Sequence, residues 1–150
     1  MLSDREALNR NYYDALAYAG ANEIRSFLDE GADVNYRGPG FLPSEYVNRP
    51  PAYIPVRRGN CEIAKLLVEH GVDLAVRDEH LESVLVYALH EGAYDIAVAY
   101  VEGGADLTVR DYRNRTPLEI VLKDGRRAGS VVKAIRARMR RQTPDPAGTI

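Results

Sequence analysis

The chain has one cysteine, Cys61, so no intrachain disulfide can form and nothing points to an oxidising compartment. Tryptophan is absent and phenylalanine occurs twice, while tyrosine occurs ten times. The only histidines are His70, His80 and His90. They recur every ten residues, which at roughly 100° per helical residue does not bring ligands onto one face. No Gly-rich phosphate loop, zinc-ligand spacing or Ser-His-Asp arrangement is visible. No apolar run approaches the roughly 20 residues that span a bilayer. Neither sign of charge dominates: 20 Lys and Arg stand against 22 Asp and Glu, giving a formal net charge of -2. That balance argues against general nucleic-acid affinity, which needs many uncompensated cations. These absences lead us to expect no enzyme activity, cofactor, metal ion or membrane association. The opening Met-Leu-Ser-Asp-Arg-Glu lacks a basic-then-apolar signal, so a cytoplasmic location is expected.

What the chain does contain is a repeat. Residues 71–78 read Gly-Val-Asp-Leu-Ala-Val-Arg-Asp and residues 104–111 read Gly-Ala-Asp-Leu-Thr-Val-Arg-Asp, 33 positions apart. A third copy, Gly-Ala-Asp-Val-Asn-Tyr-Arg, starts at Gly31, 40 positions before Gly71. A period of this size marks stacked structural units, which normally act through their surface.

Each unit shows two short helical patterns. Pro50-Pro51 suits the first turn of one helix, and Gly59-Asn60 ends it. Ile63, Ala64, Leu66 and Leu67 form the apolar face of the next, which stops at Gly71. The plan recurs over 83–103, broken at Gly92, and over 116–139, broken at Gly125. The N-terminal stretch is a degenerate version: Ser3 and Glu6 fit a capping box, and Leu8, Tyr12, Ala15 and Leu16 keep a helical period. After each Gly-x-Asp a short extended finger is expected. The first is seven residues longer than the period and holds Gly38, Pro39, Gly40, Pro43, Pro50 and Pro51, so the insertion reads as loop. Residues 142–150 read as a disordered tail.

Thr116-Pro117-Leu118-Glu119 with Gly125, and Gly59-Asn60-Cys61-Glu62-Ile63-Ala64-Lys65-Leu66-Leu67-Val68-Glu69-His70-Gly71, resemble the ankyrin repeat family. Pro50-Pro51-Ala52-Tyr53 with Gly59 and Ser83-Val84-Leu85-Val86 with Gly92 are weaker copies at the same spacing. The resemblance covers roughly residues 5–139. It implies an all-α fold, an ankyrin-repeat solenoid of four stacked helix-turn-helix repeats with short β-hairpin-like fingers and a longer first finger. Residues 1–141 form that domain, with repeats at about 5–36, 37–77, 78–110 and 111–141. The family's histidine is missing at Tyr53, Val86 and Glu119, so its hydrogen bonds to neighbouring backbone are expected to be lost. Leu81 and Asn114 replace finger glycines, so distorted middle fingers are expected.

The resemblance also implies binding of a folded protein through finger tips and the concave face of the first helices. Position by position it nominates Tyr46, Arg49, Arg57 and Arg58 in the second repeat. It nominates Glu79, His80, Glu82, His90 and Glu91 in the third, and Tyr112, Arg113, Arg115, Lys123 and Asp124 in the fourth. Tyrosine and arginine suit such a role because each combines large contact area with directional hydrogen bonding. In the long first finger Tyr36, Phe41 and Tyr46 are expected to contact the partner, and Leu42 and Val47 to fold back. The chain is expected to be monomeric alone, acting as an adaptor or as a bacterial immunity-type inhibitor that occludes a toxin or enzyme. Residues 126–141 hold Arg126, Arg127, Lys133, Arg136, Arg138, Arg140 and Arg141 and no acid. They raise a nucleic-acid-associated alternative, against the simpler reading that cations cap the last helix.

Overall fold

The computed structural model describes residues 3–38 and 49–142. Within them the fold is all-α, with no strand. Eight α-helices follow in order: α1 (Asp4–Tyr18), α2 (Ala21–Asp29), α3 (Tyr53–Arg58), α4 (Cys61–Glu69), α5 (Val84–His90), α6 (Tyr94–Glu102), α7 (Pro117–Lys123) and α8 (Gly129–Gln142). A 3-10 turn, Gly125–Ala128, joins the last two. Gln142 therefore closes α8 instead of opening the tail, and the rest of the expected tail lies outside the described residues.

Local chemistry sets the helix starts. Ser3, Asn60, Ser83 and Thr116 each stand just before a helix, and each side-chain oxygen accepts a first-turn N–H, from Glu6, Ile63, Val86 and Glu119 respectively. Such a cap satisfies a donor that the helix cannot pair, and is worth about 1 kcal/mol. Pro117 follows its cap at the first helical position, where a missing N–H costs nothing. Pro50 and Pro51 are placed differently from expectation. Their carbonyls accept from Tyr53 N at 3.0 Å and Ile54 N at 3.2 Å, so they form a tight turn that leads into α3. At the other end of α3, Gly59 takes φ 66, a conformation open to glycine at little cost.

Consecutive helices pair as α1·α2, α3·α4, α5·α6 and α7·α8. The pairs then align in two rows: α1, α3, α5 and α7 touch in turn, as do α2, α4, α6 and α8. The core runs along the seam, through Leu16, Ile24, Ile54, Ile63, Leu66, Leu67, Leu85, Leu89 and Ile96. Burying each such side chain contributes roughly 1.5–3 kcal/mol.

The tyrosine excess has a structural cause. Tyr12, Tyr13, Tyr53 and Tyr100 are all fully buried, yet each hydroxyl reaches a carbonyl far away in the chain. Tyr12 donates to Val34 O (2.8 Å), Tyr13 to Arg49 O (2.8 Å) and Tyr100 to Ala52 O (2.6 Å). Tyr53 directs its one hydroxyl hydrogen between Val76 O (3.1 Å) and Glu82 O (2.5 Å). Phenylalanine would fill the same space but remove the hydroxyl from each of these carbonyls, although Glu82 O keeps the N–H of Asp78; a buried carbonyl left unpaired costs about 1–3 kcal/mol. Burial pushes all four phenols above their ordinary pKa, Tyr13 to about 12. Tyr53, one of the positions where the resemblance would put a histidine, thus bonds backbone through its hydroxyl.

The connecting turns follow one plan. Asp78 N donates to Glu82 O (3.2 Å) and Asp111 N to Arg115 O (3.0 Å), closing two turns of the same design 33 residues apart. An isolated antiparallel bridge, Arg77 to Ser83, tightens the first. Leu81 (φ 61) and Asn114 (φ 63) enter the left-handed region at equivalent places. The two turns share one geometry, and the strain falls on Leu81, a residue with a branched side chain that is 73% exposed. Its conformation costs roughly 1–2 kcal/mol, and a glycine there would add about 0.5–1 kcal/mol of unfolded-chain freedom. We therefore expect Leu81→Gly to stabilise the protein by under about 1 kcal/mol, visible as a Tm rise of a few degrees. Asn114→Gly should change little, because asparagine tolerates this conformation. A lower Tm for Leu81→Gly would show that its side chain contributes more than its strain costs.

Candidate partner-binding groove

Two fingers and the ends of two helices enclose a hollow of about 460 Å³. The finger after α4 supplies Asp78, His80, Leu81 and Glu82, and the finger after α6 supplies Arg110, Asp111 and Tyr112. Arg57 from the end of α3, Tyr87 from α5 and Arg49 complete the lining.

Each finger is organised by an aspartate. Asp78 Oδ1 accepts from His80 N and Glu82 N, both at 2.9 Å. Asp111 Oδ1 accepts from Arg113 N (2.9 Å) and Arg115 N (2.8 Å) in the same way. Asp111 goes further: Oδ2 takes Arg115 Nε at 2.9 Å and its terminal nitrogen at 2.8 Å, a two-pronged ion pair, with His90 Nε2 at 3.4 Å. Burial alone would raise the Asp111 pKa, but the two N–H donors and the Arg115 guanidinium outweigh it and hold the carboxyl at about 2. An arginine preceding each aspartate braces the far side of its turn, Arg77 on Leu81 O and Arg110 on Asn114 O, both at 2.9 Å.

On this frame stand the groups that face solvent. Tyr112 is 76% exposed, with the Arg113 guanidinium 5.4 Å from its ring centre and His90 edge-on at 5.9 Å. Arg49 lies 5.9 Å over the Tyr87 ring and 3.9 Å from the Glu79 carboxylate. Tyr87 packs on Tyr53 at 5.5 Å, and its buried hydroxyl finds no hydrogen-bond partner among the described residues. Glu82 is half-buried, and burial raises its pKa, partly offset by the charge of His90.

The nominated residues therefore separate. Arg49, Arg57, His80, Glu82 and Tyr112 line the hollow. Arg113, Glu79 and His90 adjoin its walls through the contacts just given. Arg115 is held by Asp111 and belongs to the frame. Arg58 is turned away: its guanidinium donates to Leu16 O and Ala19 O, both at 2.8 Å, and closes the end of α1. Lys123 and Asp124 end α7 outside the hollow, where Asp124 accepts the Tyr94 hydroxyl at 2.7 Å. Glu91, capping α5, is exposed and also outside it. Tyr36 turns inward, its ring edge-on to Tyr13 at 6.1 Å, half-buried against the core. Phe41 and Tyr46, with Leu42 and Val47, lie outside the described residues.

Sequence reasoning missed Asp78, Asp111, Arg110 and Tyr87. The signal for three of them is in the sequence, since Val-Arg-Asp closes both Gly-x-Asp copies and puts the same Arg-Asp pair beside each turn. Among the described residues no helix is long and apolar enough to cross a membrane. A scan against protein-family models gives no match for this chain, and a search of the curated proteins gives none either.

Proposed function

We propose that this chain is a non-catalytic ankyrin-type protein-binding module that holds a folded partner in the groove between its fingers. The observation that carries this reading is the pair of matched fingers. Two independently braced turns, one period apart, hold Tyr112 and Arg113 outward beside a hollow edged by Arg57 and Tyr87. The aspartates fix the finger backbone before any partner arrives. Little entropy then remains to be lost on docking, so a modest contact area gives useful affinity. An exposed tyrosine stacked with arginine is a typical hot-spot pairing.

The nucleic-acid alternative draws on the cations of α8, but Arg138 already donates to Val101 O and Ala105 O at the end of α6. That use as a helix-end cap favours the protein-binding reading.

The test is capture from the native source, with wild type beside the double variant Tyr112→Ala, Arg113→Ala. We expect the variant to melt like wild type, because both side chains are exposed. We expect it to bind the captured protein at least about 30-fold more weakly, the scale of a hot-spot loss near 2 kcal/mol. Equal recovery by both proteins would move the site elsewhere.

A further inference from the structure

The two ends of the stack are unlike each other in charge. At one end, two shallow hollows meet at Asn11 on α1: Leu8, Asp4, Arg5 and Glu30 line one, and Tyr18, Phe27, Asp14 and Glu23 line the other. At the other end, a hollow of about 690 Å³ between α7 and α8 is lined by that pair alone, with Leu118 and Val132 on the floor and Lys133, Arg136 and Arg140 on the rim. Residues 3–31 carry six acids against three arginines, whereas 117–142 carry eight cations against two acids. Tyr18 is 66% exposed and Leu122 is 53% exposed, large apolar surfaces at opposite ends.

Inside the molecule, each helix pair packs against the next pair in the stack. The internal joints also use ion pairs at their edges, as between Arg25 on α2 and Glu69 on α4 at 3.5 Å. What fits the α7–α8 end is therefore a helix pair with apolar ridges and an acidic rim, and α1–α2 has that chemistry. We propose that copies of this chain associate head to tail, the acidic α1–α2 end of one docking on the basic α7–α8 end of the next. The two docking surfaces are different, so the contact is heterologous and adds copies in an open series. Each joint is small and rimmed by charge, which makes the association weak, concentration-dependent and sensitive to salt. It modifies the expectation of a monomer only at high concentration, and it leaves the finger groove uncovered for a partner.

Sedimentation velocity on the full chain tests this. At low salt the average mass should rise with concentration without reaching a plateau. It should fall back to the monomer between about 50 and 500 mM salt, as the Debye length shrinks from roughly 14 to 4 Å. Arg136→Glu with Arg140→Glu leaves Lys133 as the one cation among the described residues of the α7–α8 rim and turns that rim acidic, like the opposite end, whereas Glu23→Lys with Glu30→Lys turns the α1–α2 rim basic. Each variant alone should stay monomeric with an unchanged helical signal, and an equimolar mixture should regain the association. A monomeric wild type at every concentration in low salt overturns the proposal, as does association that persists in both variants alone. Association that appears only after residues 143–150 are removed would make that segment the occupant, and association abolished by nuclease would make it a bridging nucleic acid; either result overturns it too.

Discussion

Replacing Leu66 by alanine should destabilise the protein by about 3 kcal/mol, within the range of buried leucine truncations. Leu66 is 1% exposed at the centre of α4, and α4 contacts α2 on one side and α6 on the other. The truncation removes methyl groups that no neighbour can replace, because both flanking helices are held by their own partners in the other row. The cavity therefore persists and its cost adds to the lost transfer free energy. The matched control is Leu122→Ala: that side chain is 53% exposed, and its loss should stay within about 0.5 kcal/mol. Urea denaturation reads both. A drop under about 0.5 kcal/mol for Leu66→Ala would mean that the seam is not where the stability resides. In a stack whose units are joined mainly to their neighbours, amide exchange should quicken first in α3, α4 and their contacts before the ends.

The helices around Leu66 were legible because their signals are local. The apolar face Ile63, Ala64, Leu66 and Leu67 repeats at helical spacing, Asn60 precedes it as a cap, and Gly71 follows it. The same holds for α6, whose buried positions Ile96, Ala97, Ala99, Tyr100 and Val101 were all readable. What the chain did not disclose depends on reach. Arg58 and Arg115 look identical in sequence to an interface arginine; only the fold puts a carbonyl pair beside one and a carboxylate beside the other. The Tyr53 hydroxyl bonds carbonyls 23 and 29 residues away, a reach that the pattern of its own helix does not announce. Leu81 was judged by its side chain, yet backbone closure between Asp78 and Glu82 forces its φ whatever residue stands there. The groove itself is a product of two turns packed side by side, which no single window of sequence contains.

The second large effect is expected at Asp111. Asp111→Ala removes the acceptor for Arg113 N, Arg115 N and the Arg115 guanidinium together, leaving a turn held by its backbone bonds and by Arg110 on Asn114 O. Two orphaned amides and a stranded guanidinium would cost several kcal/mol deep in a core. The Asp111 side chain exposes no area, but its cover is thin, so water can reach the freed groups and about 2 kcal/mol is the expected loss. Asp78→Ala should cost less, since Asp78 gathers two backbone amides and no guanidinium. The pH dependence follows from the sign of the shift. The folded-state pKa is depressed from 3.8 to about 2, so the carboxylate's contribution is complete above the unfolded value and fades as pH falls from about 4 through 2. The stability gap between wild type and Asp111→Ala, measured by denaturant titration, should be constant from neutral pH down to about pH 5 and should narrow below about pH 4. Affinity for the captured partner should fall at least as far as in the Tyr112, Arg113 double variant, because the finger that presents both residues loses its brace. A gap that does not narrow in acid would place the stabilisation in packing and not in the charge. Full affinity in the variant would mean that the partner needs the side chains of this finger but not its prior order.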